Sequence, residues 1–480
     1  MKAKLPGIHS IKRVHIIGVC GTLMGAFAAY LKRQNLVVTG SDQNVYPPMS
    51  DVLTQAGVVL CNGYKAENLA ASGEKPDLVV IGNVISSNNP EARAAIDNGF
   101  AYSSLPEAME NLFLTDTRNL VVAGTHGKTT TSSMLANVLL KSGKDPGYFI
   151  GGVSHDLPFS FNIPKLEKGS LFVLEGDEYD TAFWDKVPKF NHYLPNDVIL
   201  TSVEYDHADI YPDLASVIRA FEGLIARVRP GGKMIACFDY QNVRDLVSKA
   251  KFPVLSYSSD LNSGARFGPR NVRTEGEYTR FEILDNGKTV NEISFQLSGM
   301  HNVMNALAVW IECRELNISD ENINSAFRSF RGVKRRQEVR GEKRGVTVID
   351  DFAHHPTAVK ETLRGLRSKY SQCRLMTVFE PRSATSRRKV FQKDYAAAFQ
   401  EADVIFISQP FDQTKISSED QFSSAMLVED LIRAGKEAYL ITDIDQGVQE
   451  VARQSRQGDL VAVLSNGGFG GFIAKLLQTL

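Results

Sequence analysis

The sequence has little that would point to an extracellular, membrane-bound or nucleic-acid-binding protein. Its five cysteines are odd in number, scattered and never in a C-x-x-C pair, which argues against a disulfide framework or a zinc site. A net charge of -1 gives no reason to expect a nucleic-acid or anionic-membrane partner. No apolar run approaches the ~18 residues of a membrane span, and the N-terminus has none of signal-peptide length. We therefore expect a cytoplasmic protein with reduced thiols.

What the sequence does contain is a repeated alternation of apolar strands and helices, too long for one core. We predict an α/β fold of three domains, at 1–115, 116–332 and 333–480. The first and third are Rossmann-like, and the second is a P-loop domain. The second also carries an antiparallel insert, because the segment around Asp285-Asn286-Gly287 alternates with a period of two across a strong hairpin turn.

The most specific motif is a short glycine-rich loop between a predicted strand and a predicted helix. Its residues are Gly124-Thr125-His126-Gly127-Lys128-Thr129-Thr130. In such loops the backbone N–H groups cradle phosphates, the lysine reaches the β/γ-oxygens and the threonine hydroxyl ligates Mg²⁺. Two residues separate the glycines here, whereas the usual pattern has four. We interpret the loop as an ATP site, and a glycine-rich turn without a ligand is the alternative.

Two acidic clusters follow the ends of predicted strands in the same domain. The first contains Glu175, Asp177 and Glu178, and the second contains Asp206 and His207. Carboxylates that face phosphates can hold Mg²⁺, so Glu175 is a candidate ligand. His207 is a candidate ligand for a second metal ion. The alternatives are a solvated acidic turn and a structural histidine.

Two further residues are candidates for contacts with a nucleotide. The amide of Asn302 can pair with an adenine edge, or it can cap the helix that we predict from about residue 302 to 315. Arg335 lies in the basic segment Lys334-Arg335-Arg336. This segment is either a solvated hinge or a phosphate clamp, since guanidinium groups match phosphate geometry.

The third domain offers candidates at the ends of its first two predicted strands. Asp351 could accept a hydrogen bond from a ribose hydroxyl, and His355 could orient a phosphate or a metal-bound water. Pro356 follows His355 and suits the first position of a helix. After the second strand, Arg382 and the adjacent Ser383 could bind a substrate carboxylate.

The first domain has its own glycine-rich turn, with Gly18, Gly21 and Gly25 before Asp42. The pattern is similar to a dinucleotide fingerprint, but its spacing is wrong for NAD. We interpret it as a pyrophosphate site for a nucleotide-bearing substrate. An NAD-binding dehydrogenase is the rival hypothesis, although it leaves Lys128 without a role. A non-catalytic nucleotide-binding regulator is the rival that is not an enzyme.

Taken in this order, the motifs resemble those of the Mur ligases of peptidoglycan synthesis over nearly the whole chain. The resemblance implies an N-terminal domain for UDP-N-acetylmuramate, a central ATPase domain and a C-terminal domain for an amine. ATP and Mg²⁺ would be required. It also implies the following roles: catalysis by Lys128, Glu175, His207 and His355; ATP binding by Gly124, Thr125, His126, Gly127, Lys128, Thr129, Thr130, Asn302, Arg335 and Asp351; binding of the UDP substrate by Gly18, Gly21, Thr22, Ser41, Asp42 and Ser86; peptide binding by Arg382 and Ser383; metal binding by Thr129, Glu175 and His207.

The identity of the amine depends on finer likeness. Three stretches resemble the family member that attaches the recycled tripeptide L-Ala-γ-D-Glu-meso-diaminopimelate: 44–49, 178–193 and 380–383. The alternative is the member that attaches L-alanine. The sequence lacks a lysine between His207 and Lys233, where several family members carry a carbamylated lysine. We therefore predict no carbamate, and Glu222 is a weak candidate substitute.

Overall fold

The computed structural model describes residues 5–7, 10–43, 45, 49–164 and 167–480. The chain forms two compact units. Unit 1 comprises Met1–Val203, Ile218–Tyr257 and Ala308–Ala326, and unit 2 comprises Glu204–Val217, Ser258–Leu307 and Phe327–Leu480. Part of the stretch 44–49, on which the choice of amine partly depended, lies outside the described residues, namely Asn44, Tyr46, Pro47 and Pro48.

The strands of the described residues are numbered in chain order. They are β1 (Arg13–Ile17), β2 (Val37–Asp42), β3 (Val59–Asn62), β4 (Leu78–Ile81), β5 (Tyr102–Ser104), β6 (Arg118–Ala123), β7 (Gly147–Phe149), β8 (Phe161–Asn162), β9 (Leu171–Gly176), β10 (Asp180–Ala182), β11 (Asp185–Pro188), β12 (Asp197–Leu200), β13 (Lys233–Cys237), β14 (Val254–Tyr257), β15 (Phe267–Glu275), β16 (Tyr278–Asp285), β17 (Lys288–Phe295), β18 (Glu338–Lys343), β19 (Val346–Asp351), β20 (Leu375–Phe379), β21 (Val404–Ser408), β22 (Glu437–Ile441) and β23 (Leu460–Leu464).

The α-helices of the described residues are numbered in the same way. They are α1 (Thr22–Arg33), α2 (Met49–Gln55), α3 (Pro90–Asp97), α4 (Leu105–Met109), α5 (Lys128–Lys141), α6 (Leu214–Ile225), α7 (Gln241–Val247), α8 (Met300–Glu315), α9 (Asp320–Ser329), α10 (Pro356–Lys369), α11 (Gln392–Ala398), α12 (Ser424–Arg433), α13 (Ile444–Gln454) and α14 (Phe472–Thr479).

Unit 1 contains a five-stranded parallel sheet in the order β3-β2-β1-β4-β5. The strand β4 is buried along its whole length, as expected for a strand covered on both faces. Gly40 of β2 lies against Val19, where a Cβ would come within 2.7 Å of the valine side chain. This close approach brings the end of β2 next to the glycine-rich turn after β1.

Unit 1 also contains a second sheet, whose strands run in the order β14-β13-β12-β6-β9-β7-β8. Every pair is parallel except β7 with β8. The strand β6 lies between β12 and β9, and both neighbours follow it in the chain. In such sheets ligands bind at the carboxyl ends of the strands, where the chain order reverses. That position places the loop after β6 beside the acidic residues after β9.

Unit 2 contains an antiparallel meander and a third sheet. The meander is β15-β16-β17, and its second turn has positive φ angles at Asn286 (47°) and Gly287 (79°), as a type I′ hairpin requires. The third sheet has the order β18-β19-β23-β20-β21-β22, in which β18 alone is antiparallel to its neighbour. The predicted α/β fold class and the predicted antiparallel insert are confirmed.

Apolar side chains from both faces of the third sheet form two separate cores. One packs against α10, α11 and α12 and includes Phe379 and Tyr395, and the other packs against α13 and α14 and includes Phe406 and Phe472. The carboxyl ends of β19, β20 and β23 are thereby held at one edge. Among the described residues, no helix is long and apolar enough to cross a membrane.

Candidate active site

The glycine-rich loop follows β6 at the carboxyl end of the second sheet of unit 1. Gly124 has a φ of 136° and Gly127 a φ of 81°, conformations that favour glycine. A Cβ on Gly124 would also collide with Thr201 Oγ1. Gly127 is the N-cap of α5, so the first N–H groups of this helix, which lack helical partners, lie beside the loop. Together these features form an anion-binding cradle.

The loop is anchored to the residues that follow β12. The Thr125 N–H donates to Ser202 O over 3.0 Å, and the His126 N–H donates to Ser202 Oγ over 2.9 Å. Thr201 Oγ1 donates to His126 O over 2.5 Å. Thr130, which follows Thr129 on α5, is buried. The conformation of the loop is therefore held by hydrogen bonds to the protein itself.

Lys128 forms a buried ion pair with Glu178. Its Nζ lies 2.9 Å from Glu178 Oε2 and 2.8 Å from Gly124 O. Burial opposes the charge of the ammonium group, but the negative charges of Glu178 and Asp177 raise the pKa of Lys128 above its usual value. The ammonium group is therefore charged and is held at the loop.

Thr129 and Glu175 converge beside Lys128. Thr129 Oγ1 donates to Glu175 Oε1 over 2.6 Å, and the Gly151 N–H donates to Glu175 Oε2 over 2.6 Å. Burial and the neighbouring Asp177 raise the pKa of Glu175 above its usual value. A hydroxyl and a carboxylate are ligands that Mg²⁺ prefers, and a cation would favour the charged form of Glu175. The two oxygens therefore fit the metal role that the sequence predicts for them.

The turn after β1 lies at the end of β2. Gly18 has a φ of 84°, and its N–H donates to Ser41 O over 2.8 Å. The Cys20 N–H donates to Asp42 Oδ2 over 2.9 Å. Gly21 is the N-cap of α1. The structure thus brings together four of the residues predicted to bind the UDP substrate, namely Gly18 and Gly21 in the turn and Ser41 and Asp42 at the end of β2.

The other two residues predicted to bind the UDP substrate are exposed. Thr22 is the first residue of α1, where backbone N–H groups lack helical partners. Ser86 lies in the turn after β4, and its carbonyl accepts a hydrogen bond from the Asn89 N–H over 3.1 Å. The structure leaves their role in substrate binding as a prediction.

Asn302 and Asp351 are joined by a chain of hydrogen bonds within unit 2. Asn302 Nδ2 donates to Ser298 O over 2.8 Å, Ser298 Oγ bonds to Gln337 Oε1 over 2.8 Å, and the Gln337 N–H donates to Asp351 Oδ2 over 2.8 Å. Burial raises the pKa of Asp351, although Arg336 opposes that shift. Asn302 is the third residue of α8 rather than its cap, so the capping alternative is wrong.

Arg335 and Arg382 flank the loop that follows β23. Arg335 Nη2 donates to Ser465 O over 2.6 Å and to Gly467 O over 2.7 Å. The guanidinium group of Arg382 stacks on the ring of Phe411, 3.6 Å from its centroid. Its neighbour in the predicted peptide site, Ser383, bonds through Oγ to Ser386 Oγ over 2.9 Å. Both predicted contact residues of the peptide therefore lie at the carboxyl end of β20.

His207 belongs to unit 2, not to the unit that carries the phosphate loop. It has a φ of 55°, which is uncommon for a residue other than glycine. Its Nε2 lies 3.9 Å from Asp206 Oδ2, and His354 Nε2 lies 3.8 Å from the same oxygen. Burial opposes the charge of Asp206, but His354 and His207 hold its pKa well below the usual value. This cluster joins the segment after β12 to the segment after β19.

His355 makes the second connection between these two segments. It is the N-cap of α10, which begins at Pro356 as the sequence predicts, and its Nδ1 accepts from the Thr357 N–H over 3.2 Å. Its Nε2 donates to Tyr205 O over 3.2 Å. The Thr357 hydroxyl bonds to Glu204 Oε1 over 3.1 Å. His355 and Thr357 therefore connect the same two segments as the cluster around Asp206 does.

Sequence reasoning assigned no role to several residues that the structure places in these networks. Glu178 pairs with Lys128, and Thr385 donates to Asp206 Oδ1. The spacing of acidic residues after β9 was the available signal for Glu178, whereas Thr385 is in a segment with no motif of its own. Glu222, the weak candidate for a lysine substitute, is half exposed and pairs with Lys249 over 3.6 Å.

Family models match most of the chain. The family that matches at residues 13–116 is described as "Mur ligase family, catalytic domain", the one at 122–312 as "Mur ligase middle domain", and the one at 335–467 as "Mur ligase, glutamate ligase domain". The three matches follow one another along the chain in the order of the three predicted domains.

Two curated relatives differ in the amine that their names specify. The UDP-N-acetylmuramate–L-alanyl-γ-D-glutamyl-meso-2,6-diaminoheptandioate ligase of Escherichia coli is 37% identical over 98% of this chain and 98% of its own length. The UDP-N-acetylmuramate–L-alanine ligase of a Geobacter species is 31% identical over 95% of each chain. The crystal structure of a murein peptide ligase from Psychrobacter arcticus is 31% identical, covers 98% of both chains and has a TM-score of 0.71.

Proposed function

Since this chain belongs to the Mur ligase family, we propose that it joins L-Ala-γ-D-Glu-meso-diaminopimelate to the carboxylate of UDP-N-acetylmuramate with conversion of ATP to ADP and phosphate. The similarity to the Escherichia coli ligase named for this amine, over 98% of the chain, carries the proposal. The convergence of Lys128, Thr129 and Glu175 at the loop after β6 supports the ATP requirement. A dehydrogenase would leave these residues without a role.

The reaction proceeds in two steps. In the first, the muramate carboxylate attacks the γ-phosphorus of ATP, the bond to the bridging oxygen breaks, and ADP leaves an acyl-phosphate behind. In the second, the amino group of the tripeptide attacks the acyl carbon. The tetrahedral intermediate expels phosphate, the nitrogen loses a proton, and an amide remains.

In the first step the phosphate loop neutralises and positions the transferring group. The loop from Gly124 to Thr130 and the first turn of α5 donate N–H groups, and Lys128 neutralises charge on the β- and γ-phosphates. Thr129 and Glu175 would hold Mg²⁺, which when bound supplies positive charge for the phosphoryl group. Asn302, Arg335 and Asp351 would contact the rest of the nucleotide.

In the second step unit 2 supplies the candidates for amine binding. Arg382 and Ser383 would bind a carboxylate of the tripeptide, because a guanidinium group pairs with carboxylates in a fixed geometry. His207 would hold a second Mg²⁺, and His355 would lie near the transferring group. The turn after β1 would bind the UDP portion of the acceptor.

The proposed biological setting is the recycling of peptidoglycan fragments in the cytoplasm. A ligase for a preformed tripeptide reuses material released from an existing wall, which distinguishes it from an alanine ligase of new synthesis. All five cysteines are unpaired thiols, which suits a reducing compartment.

The decisive assay measures phosphate release from ATP, Mg²⁺ and UDP-N-acetylmuramate with one added amine. The amine is either the tripeptide or L-alanine, and a reaction without UDP-N-acetylmuramate is the control. We expect release with the tripeptide and only when the acceptor is present. Release with L-alanine but not with the tripeptide would replace the proposed amine, and no release with either would contradict a ligase of this acceptor.

A further inference from the structure

Thr385 occupies the turn that follows β20, two positions beyond Ser383. The threonine is 2% exposed, and no part of the reaction described above uses it. Its hydroxyl donates to Asp206 Oδ1 over 2.6 Å and accepts a hydrogen bond from the Ala208 N–H over 3.2 Å. The hydroxyl therefore bonds to both chain neighbours of His207, namely to the side chain of Asp206 and to the backbone of Ala208.

The acceptor of this hydrogen bond is a carboxylate with a fixed position. Asp206 Oδ1 also accepts from the His207 N–H over 2.7 Å, and Asp206 is 5% exposed. Hydrogen bonds to an ionised group are roughly twice as strong as neutral ones. The contact between Thr385 and Asp206 is thus stronger than an ordinary contact between a turn and a neighbouring loop.

Hydrogen bonds within the turn connect Thr385 to Ser383 of the predicted peptide site. The Ser386 N–H donates to Ser383 Oγ over 3.0 Å, the Arg387 N–H donates to Ser383 O over 3.2 Å, and the Arg388 N–H donates to Thr385 O over 3.0 Å. A displacement of Thr385 would therefore displace Ser383, and with it the adjacent Arg382.

We propose that Thr385 is a positioning residue that holds the peptide-binding segment Arg382–Ser383 in register with the segment that carries His207. The inference rests on the proposed function, because it takes these two segments as the peptide site and the second metal site. Thr385 touches no reacting atom. It acts by fixing where the incoming amine is held while the acyl-phosphate is present.

The test compares Thr385→Val with Thr385→Ser. Valine keeps the shape of threonine and loses the hydroxyl, whereas serine keeps the hydroxyl. Thr377→Val on β20 is the matched control, because Thr377 is also fully buried and its hydroxyl has no hydrogen-bond partner among the described residues. Each variant is assayed for the KM of ATP, of UDP-N-acetylmuramate and of the tripeptide. Hydroxylamine then replaces the tripeptide, since it has an attacking nitrogen but no carboxylate.

We expect Thr385→Val to raise the KM of the tripeptide on the order of tenfold, which corresponds to the loss of one hydrogen bond to a charged group. The KM values of ATP and UDP-N-acetylmuramate and the rate with hydroxylamine should stay within about twofold of wild type. Thr385→Ser should restore the tripeptide KM, and Thr377→Val should leave it unchanged.

Three outcomes would overturn the inference. One is an unchanged tripeptide KM in Thr385→Val, another is an equal loss with hydroxylamine and with tripeptide, and the third is the same loss in Thr377→Val. An equal loss would mean that Thr385 only supports the fold or the segment around His207. The amine requirement of the wild-type enzyme tests the proposed function separately, because it does not depend on any variant.

Discussion

At the scale of single residues, the pair Lys128 and Glu178 has two consequences that differ in kind. Both side chains are buried, with exposed fractions of 11% and 3%. Removing one member of a buried ion pair leaves the other without compensation, which costs about 3–5 kcal/mol. Any change at Lys128 will therefore affect folding stability as well as catalysis, and the two effects must be measured separately.

A single and a double variant separate them. Lys128→Ala should lower kcat about a thousandfold or more, because a positive charge is lost at the transferring phosphoryl group, and it should also lower the urea midpoint. Lys128→Ala combined with Glu178→Gln should recover most of the midpoint but none of the activity. The exposed Lys141→Ala on the same helix is the control. Near-normal turnover of Lys128→Ala would contradict the phosphate-loop assignment.

The sequence was informative about residue types at this site and less so about their partners. The order of strand, glycines, lysine and threonine predicted a phosphate loop, and Thr129 and Glu175 were predicted as ligands of one Mg²⁺. It did not predict that Lys128 pairs with Glu178, because the direction of each side chain depends on the path of the chain after β9. The partner of the Asn302 side chain was equally hard to predict, because an asparagine near the start of a helix can either cap the helix or donate a hydrogen bond from its side chain.

At the scale of elements, His192 links the hairpin β10–β11 to the residue that follows α4. His192 Nδ1 bonds to Glu110 Oε2 over 2.7 Å, and its Nε2 bonds to Asp185 Oδ2 over 2.8 Å. At the tip of the hairpin, the ring of Trp184 packs edge-on against Tyr102 of β5, with centroids 5.2 Å apart. The hairpin thereby connects the end of α4 and the first sheet to the segment that follows Glu178.

The stability of unit 1 should depend on pH through this histidine. Burial opposes the charge of the ring, but the hydrogen bonds to Glu110 and Asp185 raise the pKa of His192 above its usual value. The stabilising contribution of the charged His192 ring is therefore fully present below the ordinary histidine pKa, and it is lost as the pH rises through the raised pKa of the folded protein. His192→Gln should reduce the decline in the urea midpoint as the pH rises above the ordinary histidine pKa of about 6.5.

Asp185→Asn provides the comparison for this prediction, because it removes one of the two charged acceptors and leaves the histidine in place. It should produce a smaller reduction of the same sign. An unchanged pH profile in His192→Gln would mean that the ring contributes no more in its charged form than in its neutral form.

Elements with a long or strongly apolar pattern were predictable, and very short ones were not. The strand predicted before the phosphate loop is β6 at Arg118–Ala123. The strand predicted before the cluster of Asp206 and His207 is β12 at Asp197–Leu200. In contrast, β8 has two residues and β10 has three, which is too few for any periodicity to be recognised. Their conformation depends on the neighbouring strand with which each one pairs.

At the scale of the whole molecule, four segments far apart in the chain meet in one buried charge network. Lys233 Nζ lies 3.4 Å from Asp197 Oδ2 and 3.8 Å from Glu312 Oε1, and Arg118 Nη2 lies 2.8 Å from Asp197 Oδ2. Burial and the proximity of Asp197 raise the pKa of Glu312 well above its usual value. Folding therefore favours the protonated form of the Glu312 carboxyl group.

The raised pKa of Glu312 should make global stability fall as the pH rises. The unfolded chain releases the Glu312 proton near the ordinary glutamate pKa of about 4.3, whereas the folded chain keeps it to a much higher pH. The contribution is thus present below the ordinary pKa and is lost as the pH approaches the raised one. Glu312→Gln should be more stable than wild type at alkaline pH in urea unfolding, whereas the exposed Glu315→Gln should match wild type. A destabilised Glu312→Gln at alkaline pH would contradict this assignment.

The sequence predicted three consecutive α/β domains, but not how the chain is divided between the compact units. The segment from Glu204 to Val217 belongs to unit 2, although the sequence places it in the middle of the second domain. Its connections to the rest of unit 2 include the contact of Asp206 with Thr385 and that of Tyr205 with His355. The hydrogen bond between Tyr205 and His355 joins residues 150 positions apart, and the one between Asp206 and Thr385 joins residues 179 positions apart. Contacts over such separations leave no local pattern in a sequence.

The discontinuity of unit 1 also determines when it can fold during synthesis. The unit includes Ala308–Ala326, and Asn137 Nδ2 of α5 donates to Ala326 O over 3.3 Å. The ribosome must therefore have translated the chain through α9, and α9 must have emerged from the exit tunnel, before Asn137 of α5 can bond to Ala326. Until then unit 1 lacks Ala308–Ala326, which includes the buried Trp310 and Ile311, and incompletely folded nascent chains are prone to aggregation. A stop codon placed after β14 would thus yield an incomplete unit 1, even though the phosphate loop itself had been translated in full.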